Sequence, residues 1–368
     1  MTTGCDVLMI CPTLGVGGAE RLRATVAPAL TARGLRVRVA AIRRGGPFES
    51  VLTGRGVAVD VLNLPGTLTS WRTQASLRRY VSKHRPRVVQ SGQFLTNLHA
   101  ATAARAAGAE LVVIEEHGFN DWKRWRHRLL DRTVTARAAD AVVCCSEAVA
   151  VVARQSYPGC DVVAIPNCVD PDALQPTGAA SIPAAAGPVV ITIGTLRREK
   201  GHDRLLEAWD RLAASGRRPD GAALWIVGDG PERGRLAQRT AGDRSVRLLG
   251  NRADVADLLH AADVFAFPSL SEGFGIALAE AMWVGVAAVG SRSGGIVEVL
   301  DDGRAGLLVD PESVDALADA IGDLLADLPL RHRTRDAGRD HARANFDPAR
   351  YVDRLLTLYR RHGVDLTR

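Results

Sequence analysis

Two glutamates, Glu272 and Glu280, flank a Gly273-Phe274-Gly275 turn and have the clearest chemical use of any side chains in this sequence. A carboxylate accepts two hydrogen bonds, so each acid can bind a pair of neighbouring sugar hydroxyls. Residues 276–282 are rich in helix formers, and a helix N-terminus offers unpaired N–H groups and partial positive charge to a phosphate. Two acids around a phosphate site suit a ligand with a sugar on each side of a diphosphate, which is a nucleotide sugar.

A loop of cations between Gly194 and Gly201 follows an apolar run farther upstream. It contains Arg197 and Lys200, and lysine is rare here, with only three among 47 basic residues. A forked guanidinium and a compact ammonium at a strand end suit a diphosphate. A solvated charge cluster without a ligand explains this segment equally well.

Two features of the N-terminal half carry weaker signals. Gly17 and Gly18 lie in a glycine-rich loop between an apolar run and a helical pattern, which predicts either a ligand loop or a plain tight turn. His117 ends another apolar run, at the carboxyl edge where open α/β sheets bind ligands. A lone histidine is otherwise usually structural or exposed.

Alternating apolar runs and helical patterns must position these residues, and they predict two doubly wound α/β domains. The alternation stops in a stretch rich in proline, alanine and glycine and restarts at Val189. We therefore predict an N-terminal domain over residues 1–172, a linker over 173–188 and a second domain over 189–346. An amphipathic helix over 347–368 finishes the chain.

Charge and composition narrow the class of protein. The net charge of +6 and pI near 9.3 fit nucleic acid, an anionic membrane or anionic small ligands, and no nucleic-acid motif supports the first. No apolar run approaches the ~18 residues of a membrane helix, and the first residues lack a secretory signal, so we expect a cytoplasmic protein. The six cysteines show no paired spacing and are predicted to be buried thiols.

The predicted helix over residues 122–137 mixes aromatic and basic side chains, beginning with Trp122 and Trp125. Such a helix can make peripheral contact with an anionic membrane, at the inner face for a cytoplasmic protein. A surface helix with its tryptophans in the core and its arginines in water is the interpretation that we favour.

Taken together, the motifs resemble the retaining glycosyltransferase family 4, whose GT-B fold has two Rossmann-like domains facing a central cleft. The resemblance covers nearly the whole chain. The motifs that carry it are the E-x7-E element Glu272 to Glu280, Gly17-Gly18-Ala19-Glu20, Ile165-Pro166-Asn167-Cys168-Val169-Asp170, Lys200-Gly201-His202 and Gly228-Asp229-Gly230-Pro231.

For the second domain, the resemblance implies a donor site. Glu280 would bind the ribose hydroxyls of the nucleotide, and Glu272 would bind the hydroxyls of the transferred sugar. The backbone of Gly273, Phe274 and Gly275 would contact the donor, while Arg197 and Lys200 would neutralise the diphosphate. Thr195 stands where relatives often have arginine, so either Arg197 substitutes for that arginine or Lys200 acts with less help.

For the first domain, the resemblance implies that Gly17 and Gly18 let the donor approach and that His117 lies near the transferred sugar and the acceptor. The last helix would pack back on this domain. No metal or other cofactor is implied, because basic side chains and a helix N-terminus take over the charge-stabilising role of a divalent ion.

The implied activity is hexosyl transfer, with retention, from a UDP- or GDP-linked sugar to an acceptor hydroxyl. Bacterial surface polysaccharide, glycolipid and natural-product biosynthesis all remain open as settings. Three alternatives use the same architecture: a nucleotide-sugar epimerase, a sugar-phosphate synthase and an inactive partner subunit.

Overall fold

The computed structural model describes residues 4–15, 17–64, 71–178 and 185–366. The chain divides into two compact units. The first unit combines Met1–Cys168 with Pro348–Arg368, and the second is the continuous segment Val169–Asp347. Part of the predicted linker, residues 179–184, lies outside the described residues, whereas Thr177 and Gly178 before it are hydrogen-bonded to Asp257 of the second unit.

A seven-stranded parallel sheet forms the centre of the first unit, in the order β3-β2-β1-β4-β5-β6-β7. Several of its strands are mainly apolar and buried, as expected for a sheet covered by helices on both faces. The strands are β1 Val7–Thr13, β2 Val37–Arg44, β3 Ala58–Val61, β4 Val88–Gly92, β5 Leu111–Glu116, β6 Ala141–Cys144 and β7 Asp161–Ala164.

In the described part of this unit, seven helices connect the strands. They are α1 Gly18–Ala32, α2 Pro47–Gly54, α3 Trp71–His84, α4 Phe94–Ala106, α5 Trp125–Leu130, α6 Ala136–Ala138 and α7 Glu147–Ser156. Ser146 caps α7, where its hydroxyl accepts a hydrogen bond from the Val149 N–H at 3.2 Å. Between α5 and α6 the chain makes a π-helical turn over Asp131–Thr135.

The second unit contains a six-stranded parallel sheet in the order β10-β9-β8-β11-β12-β13. The strands are β8 Val189–Ile193, β9 Ala223–Val227, β10 Val246–Gly250, β11 Val264–Phe267, β12 Ala287–Ser291 and β13 Leu307–Val309. The helices are α8 His202–Ala214, α9 Arg233–Thr240, α10 Val255–His260, α11 Ile276–Val284, α12 Ile296–Val299, α13 Val314–Ala326 and α14 Leu328–Asn345. The fully buried rings of Trp209 and Trp225 are the largest side chains of this unit's core.

The strand order of each sheet reverses once, which creates a crevice at the carboxyl edge. In the first unit the reversal lies between β1 and β4, and in the second unit it lies between β8 and β11. The predicted doubly wound α/β class is therefore confirmed. The six cysteines are free thiols, and five of them are buried as predicted, whereas Cys160 is half-buried.

The last helix, α15 Pro348–Arg361, belongs to the first unit, although the whole second unit separates it from the rest of that unit in sequence. Its apolar stripe is buried, and the Tyr359 hydroxyl donates a hydrogen bond to Gln90 Oε1 on β4 at 2.8 Å. The backbone carbonyl of Asp365 accepts a hydrogen bond from Arg87 at 2.8 Å. These contacts attach α15, and the residues that follow it, to β4 in the centre of the sheet and to the residue before β4.

One packing prediction is wrong. Trp122 and Trp125 do not enter the core and are 58% and 68% exposed. The inward position is taken by Lys123, whose ammonium lies 3.2 Å from Glu116 and 2.9 Å from Asp131. Because this lysine is buried with its two acids, the tryptophans on either side of it are directed outward. Among the described residues, no helix has the length and hydropathy that a membrane crossing requires.

Candidate active site

The cationic loop after β8 is packed tightly against the loop after β11, the neighbouring strand in the sheet. Gly201 has φ of 71°, and a Cβ there would lie 2.0 Å from the carbonyl oxygen of Pro268, so only glycine fits. The Leu270 N–H donates to the Glu199 carbonyl at 2.8 Å, and the Ser269 hydroxyl donates to the same oxygen at 3.2 Å. The two loops are thereby fixed side by side at the point where the strand order reverses.

Lys200 and Glu272 meet at this point. The Lys200 ammonium lies 2.5 Å from Glu272 Oε2, and the two side chains are 23% and 16% exposed. The same ammonium is 6.0 Å from the centre of the Phe267 ring. The structure therefore joins a predicted phosphate ligand to a predicted sugar ligand, while Arg197 is exposed in the same loop.

The Gly273-Phe274-Gly275 turn leads directly into α11. Gly275 is the N-cap with φ of 96°, and a Cβ there would lie 3.0 Å from the Phe267 ring. The first helical N–H groups that pair with Gly275 O are those of Leu278 and Ala279. The two N–H groups before them lie ahead of the helical ladder, as at any helix N-terminus.

Phe274 anchors this turn from inside the second unit. It is 3% exposed, and its ring meets Phe346 edge to face with centroids 5.2 Å apart. On the other side, the Gly295 N–H donates to the Glu272 carbonyl at 2.9 Å, and the Ser293 hydroxyl donates to the Leu270 carbonyl at 2.7 Å. The loop after β11, which contains Glu272, is thus held in place by contacts within the protein itself.

Glu280 and His202 are two buried ionisable groups on the helices that follow these loops. Glu280 lies on α11 and is 2% exposed. His202, the first residue of α8, is 4% exposed, and burial together with the nearby charge of Lys200 lowers its pKa to about 4. The imidazole is therefore neutral at ordinary pH.

In the first unit, His117 belongs to a buried polar network. Glu115 Oε2 lies 3.2 Å from His117 Nε2 and 2.7 Å from the Arg23 guanidinium. A carboxylate only accepts hydrogen bonds, so His117 donates through Nε2. Burial alone would raise the pKa of Glu115, but the Arg23 charge and the hydrogen bond from His117 outweigh it and hold that pKa below its ordinary value.

The network continues from Glu115 to the last helix. Gln90 donates to the Glu115 carboxylate, and its own oxygen accepts from Tyr359 on α15. Gly92 leaves room for these groups, because a Cβ there would lie 2.9 Å from Glu115 Oε2 and 3.3 Å from His117 Nε2. Sequence reasoning missed Arg23, Glu115 and Gln90. The available signal was an acid inside an apolar run, which needs a cationic partner when buried.

Gly17 and Gly18 begin α1 in the first unit, as N-cap and first helical residue. A Cβ on Gly17 would lie 2.4 Å from Glu20 Oε2, so the absence of a side chain makes room for that acid. Glu20 also accepts a hydrogen bond from Gln93, directly after β4, at 3.2 Å. The glycine loop is thus connected to the loop after β4, across the reversal point of the first sheet. Among the described residues, no group of three or more His, Cys, Asp or Glu side chains could hold a metal ion.

The comparisons with known proteins agree with this geometry. Residues 16–173 match Glycosyltransferase Family 4, and residues 187–327 match Glycosyl transferases group 1. The structure of Anabaena Alr3699/HepE in complex with UDP has a TM-score of 0.80 at 20% identity and covers 97% of this chain and 100% of that one. A glycosyltransferase from Rickettsia africae has a TM-score of 0.81 at 18% identity and covers 98% and 99%. The two doubly wound units define a GT-B glycosyltransferase.

Relatives in sequence identify the family. The GDP-mannose-dependent alpha-(1-6)-phosphatidylinositol monomannoside mannosyltransferase of Mycobacterium tuberculosis is 32% identical over 309 residues, 77% of each chain. The alpha-maltose-1-phosphate synthase of Mycolicibacterium smegmatis is 30% identical over 311 residues, 74% of this chain and 79% of the relative. The chain belongs to glycosyltransferase family 4 and is a transferase enzyme.

Proposed function

We propose that the enzyme transfers a hexosyl unit, with retention, from a UDP- or GDP-linked sugar to an acceptor hydroxyl. The observation that carries this proposal is the 2.5 Å pair of Lys200 and Glu272 at the carboxyl edge between β8 and β11. A diphosphate and a sugar are adjacent parts of one donor, and these two residues are adjacent ligands of matching chemistry.

Lys200 neutralises the leaving diphosphate in the proposed reaction. As the glycosidic bond stretches, negative charge grows on the phosphate, and donors already fixed in place stabilise that charge most effectively. The two loops are fixed by hydrogen bonds to the Glu199 carbonyl, so the ammonium moves little when it turns from Glu272 to phosphate. Arg197 and the N-terminus of α11 supply further positive charge, and the proposal requires no metal ion.

Glu272 then holds hydroxyls of the transferred sugar and acts as a positioning group. In the proposed retaining mechanism, the acceptor attacks the face from which the diphosphate leaves, and the departing phosphate takes the acceptor proton. Glu280 holds the ribose hydroxyls, while the backbone of Gly273, Phe274 and Gly275 contacts the donor. These contacts fix the donor on both sides of the bond that breaks.

Groups of the first unit have proposed roles as well. His117 lies near the transferred sugar and the acceptor, and its ring is oriented by Glu115 at 3.2 Å. Gly17 and Gly18 leave room for the donor. The relatives' names favour two nucleotides, because the mycobacterial mannosyltransferase is GDP-mannose-dependent and the Anabaena protein was crystallised with UDP.

A thermal-shift screen over UDP, GDP, ADP and TDP and their sugars tests the donor proposal, because a ligand that binds only the folded protein raises its midpoint. We expect one nucleotide series to give the largest shift. Lys200→Ala should remove most of that shift. Arg198→Ala is the matched control, because it removes a cation from the same loop at a side chain that is 83% exposed. Equal losses in both variants would contradict the role of Lys200.

The rate of sugar transfer tests the mechanism separately from donor binding. Glu272→Gln keeps the size of the side chain and removes its charge, and we expect transfer to fall by roughly 10²-fold or more with the fold preserved. The anomeric configuration of the product, read by NMR, distinguishes retention from inversion. Near-normal transfer by both Glu272→Gln and Lys200→Ala would remove these residues from the mechanism.

A sugar-phosphate synthase is the second candidate, and the 30% identical alpha-maltose-1-phosphate synthase favours it. Both reactions use the same donor, so the acceptor decides between them. Incubation of donor with sugar phosphates, and separately with hydroxyl acceptors lacking phosphate, shows which one consumes the donor. A sugar changed without any acceptor would indicate an epimerase. Failure to bind every nucleotide would indicate an inactive partner subunit.

A further inference from the structure

An exposed surface that mixes aromatic and basic side chains lies on the first unit, over residues 121–137. Ten residues of this segment are exposed. Five are arginines, four are large apolar residues and one is an aspartate. We call this surface the Trp-Arg face, and its members are Asp121, Trp122, Arg124, Trp125, Arg126, Arg128, Leu129, Arg132, Val134 and Arg137.

The apolar part of the Trp-Arg face is unusual for this molecule. Nine large hydrophobic side chains are exposed in the described part of the chain, and four of them fall within this one segment. Trp122 and Trp125 are 58% and 68% exposed, Leu129 is 50% and Val134 is 37%. Single exposed apolar residues need no explanation, whereas a group with basic neighbours indicates a binding surface.

The rigid support beneath the face explains why it stays exposed. The ammonium of Lys123, 5% exposed, lies between Glu116 and Asp131 and also 5.0 Å from the centre of the Phe94 ring. Trp122 packs edge to face on the same Phe94 ring, with centroids 5.6 Å apart. Turning the tryptophans inward would displace a buried ion pair, which is strongly unfavourable.

The face also carries an excess of positive charge, with five arginines against one aspartate. None of its five arginines forms an ion pair with a described residue, whereas arginines elsewhere commonly do, as Arg217 does with Asp319 and Asp323. Arg126 instead lies over the Trp125 ring, 5.3 Å from its centre. Arg128 and Arg132 line a cavity of about 290 Å³ together with Val152 of α7, itself 39% exposed. Positive charge and apolar surface are therefore interleaved.

We propose that the Trp-Arg face binds the surface of an anionic lipid bilayer. Tryptophan rings favour the boundary between headgroups and acyl chains, and arginines favour the phosphates directly above it. Basic residues within a Debye length of an anionic surface each strengthen binding. This inference goes beyond the proposed function, because it rests on the surface alone and holds for any donor sugar.

Vesicle sedimentation tests the proposal on the full chain. We expect the protein to bind vesicles containing phosphatidylglycerol at least about tenfold more tightly than vesicles of phosphatidylcholine alone, with binding lost in high salt. Equal binding to both, or to neither, would overturn the proposal. The second outcome would leave a protein partner as the occupant of the face.

A matched pair of variants locates the binding surface. Leu129→Ala/Arg126→Glu changes one apolar and one basic residue of the face, and it should weaken binding to the anionic vesicles roughly tenfold or more. Leu328→Ala/Arg333→Glu makes the same chemical changes on α14 of the second unit, and Leu328 is likewise 50% exposed. Equal weakening by both variants would overturn the assignment of this face. Thermal unfolding checks that both variants remain folded.

Discussion

Low pH should destabilise the second unit through protonation of one histidine, His202, which follows the cationic loop. His202 begins α8 directly after Lys200 and Gly201, and it is 4% exposed. Burial and the charge of Lys200 lower its pKa from 6.5 to about 4. A group whose pKa is lower in the folded state contributes stability above its unfolded pKa and loses that contribution as the pH falls.

The size of the effect follows from the gap between the two pKa values. A gap of about 2.5 units corresponds to about 3 kcal/mol, which is lost between pH 6.5 and pH 4. At pH 5 about 2 kcal/mol is already lost. Other ionisable groups also titrate in this range, so the contribution of His202 has to be measured as a difference between variants.

His202→Gln removes the titration and keeps a polar side chain at the position. Urea unfolding at pH 7 and pH 5, followed by tryptophan fluorescence, to which the buried Trp209 and Trp225 of the second unit contribute, gives the free energy of unfolding. Between these pH values the wild type should lose about 2 kcal/mol more than the variant. His332→Gln, at an exposed position on α14, controls for the substitution itself.

Nucleotide affinity gives a second readout, because the loop that should hold the diphosphate ends where His202 begins. The wild type should lose affinity more steeply than His202→Gln as the pH falls from 7 to 5. If the two proteins lose equal stability over that range, the imidazole is not held neutral by burial, and the reasoning fails.

Three further predictions concern the same framework. Gly201→Ala should destabilise the second unit by about 1–3 kcal/mol, because of the φ of 71° and the 2.0 Å approach to Pro268; urea unfolding that matched wild type would contradict this packing. Glu115→Gln should destabilise the first unit by about 3–5 kcal/mol in urea unfolding, because it leaves the Arg23 charge buried without its partner, and the double variant with Arg23→Met should recover part of that loss. Transfer activity should survive dialysis against EDTA, and a loss restored by Mg²⁺ would contradict a metal-independent mechanism.

Most of the fold was predictable because parallel strands buried on both faces form unbroken apolar runs. Residues 189–193 and 223–227 are largely apolar, and both segments are strands. The strand Leu307–Val309 was not predicted, since three residues are too few to stand out from a loop. Helix α2 was also not predicted, because its eight residues are fewer than a helical period pattern needs to be recognised.

The individual residues of the candidate site could be predicted from the sequence, whereas the pairs that they form could not. Lys200 was expected at a strand end and Glu272 beside a turn that leads into a helix, but their direct pairing across 72 residues depends on β8 lying next to β11. The sequence does not state which strands are neighbours. The Arg23–Glu115 pair spans 92 residues and was likewise invisible to local patterns.

The tryptophans of the Trp-Arg face show the limit of periodicity. A helical pattern separates apolar from polar residues, and on that basis Trp122 and Trp125 belonged in the core. The tryptophans lie outside the core because Lys123 is buried between Glu116 and Asp131, which are 15 positions apart in sequence. A lysine enters the interior only when such acids are already arranged there, and that arrangement is a property of the folded chain.

The position of α15 sets an order of events during synthesis. As the nascent chain leaves the ribosome, the second unit emerges as one continuous stretch and can fold as soon as it is complete. Most of the first unit is translated earlier. The hydrogen bond between Gln90 and Tyr359 cannot form, however, until α15 has left the exit tunnel. The half of the enzyme that is made first is therefore the half that is finished last.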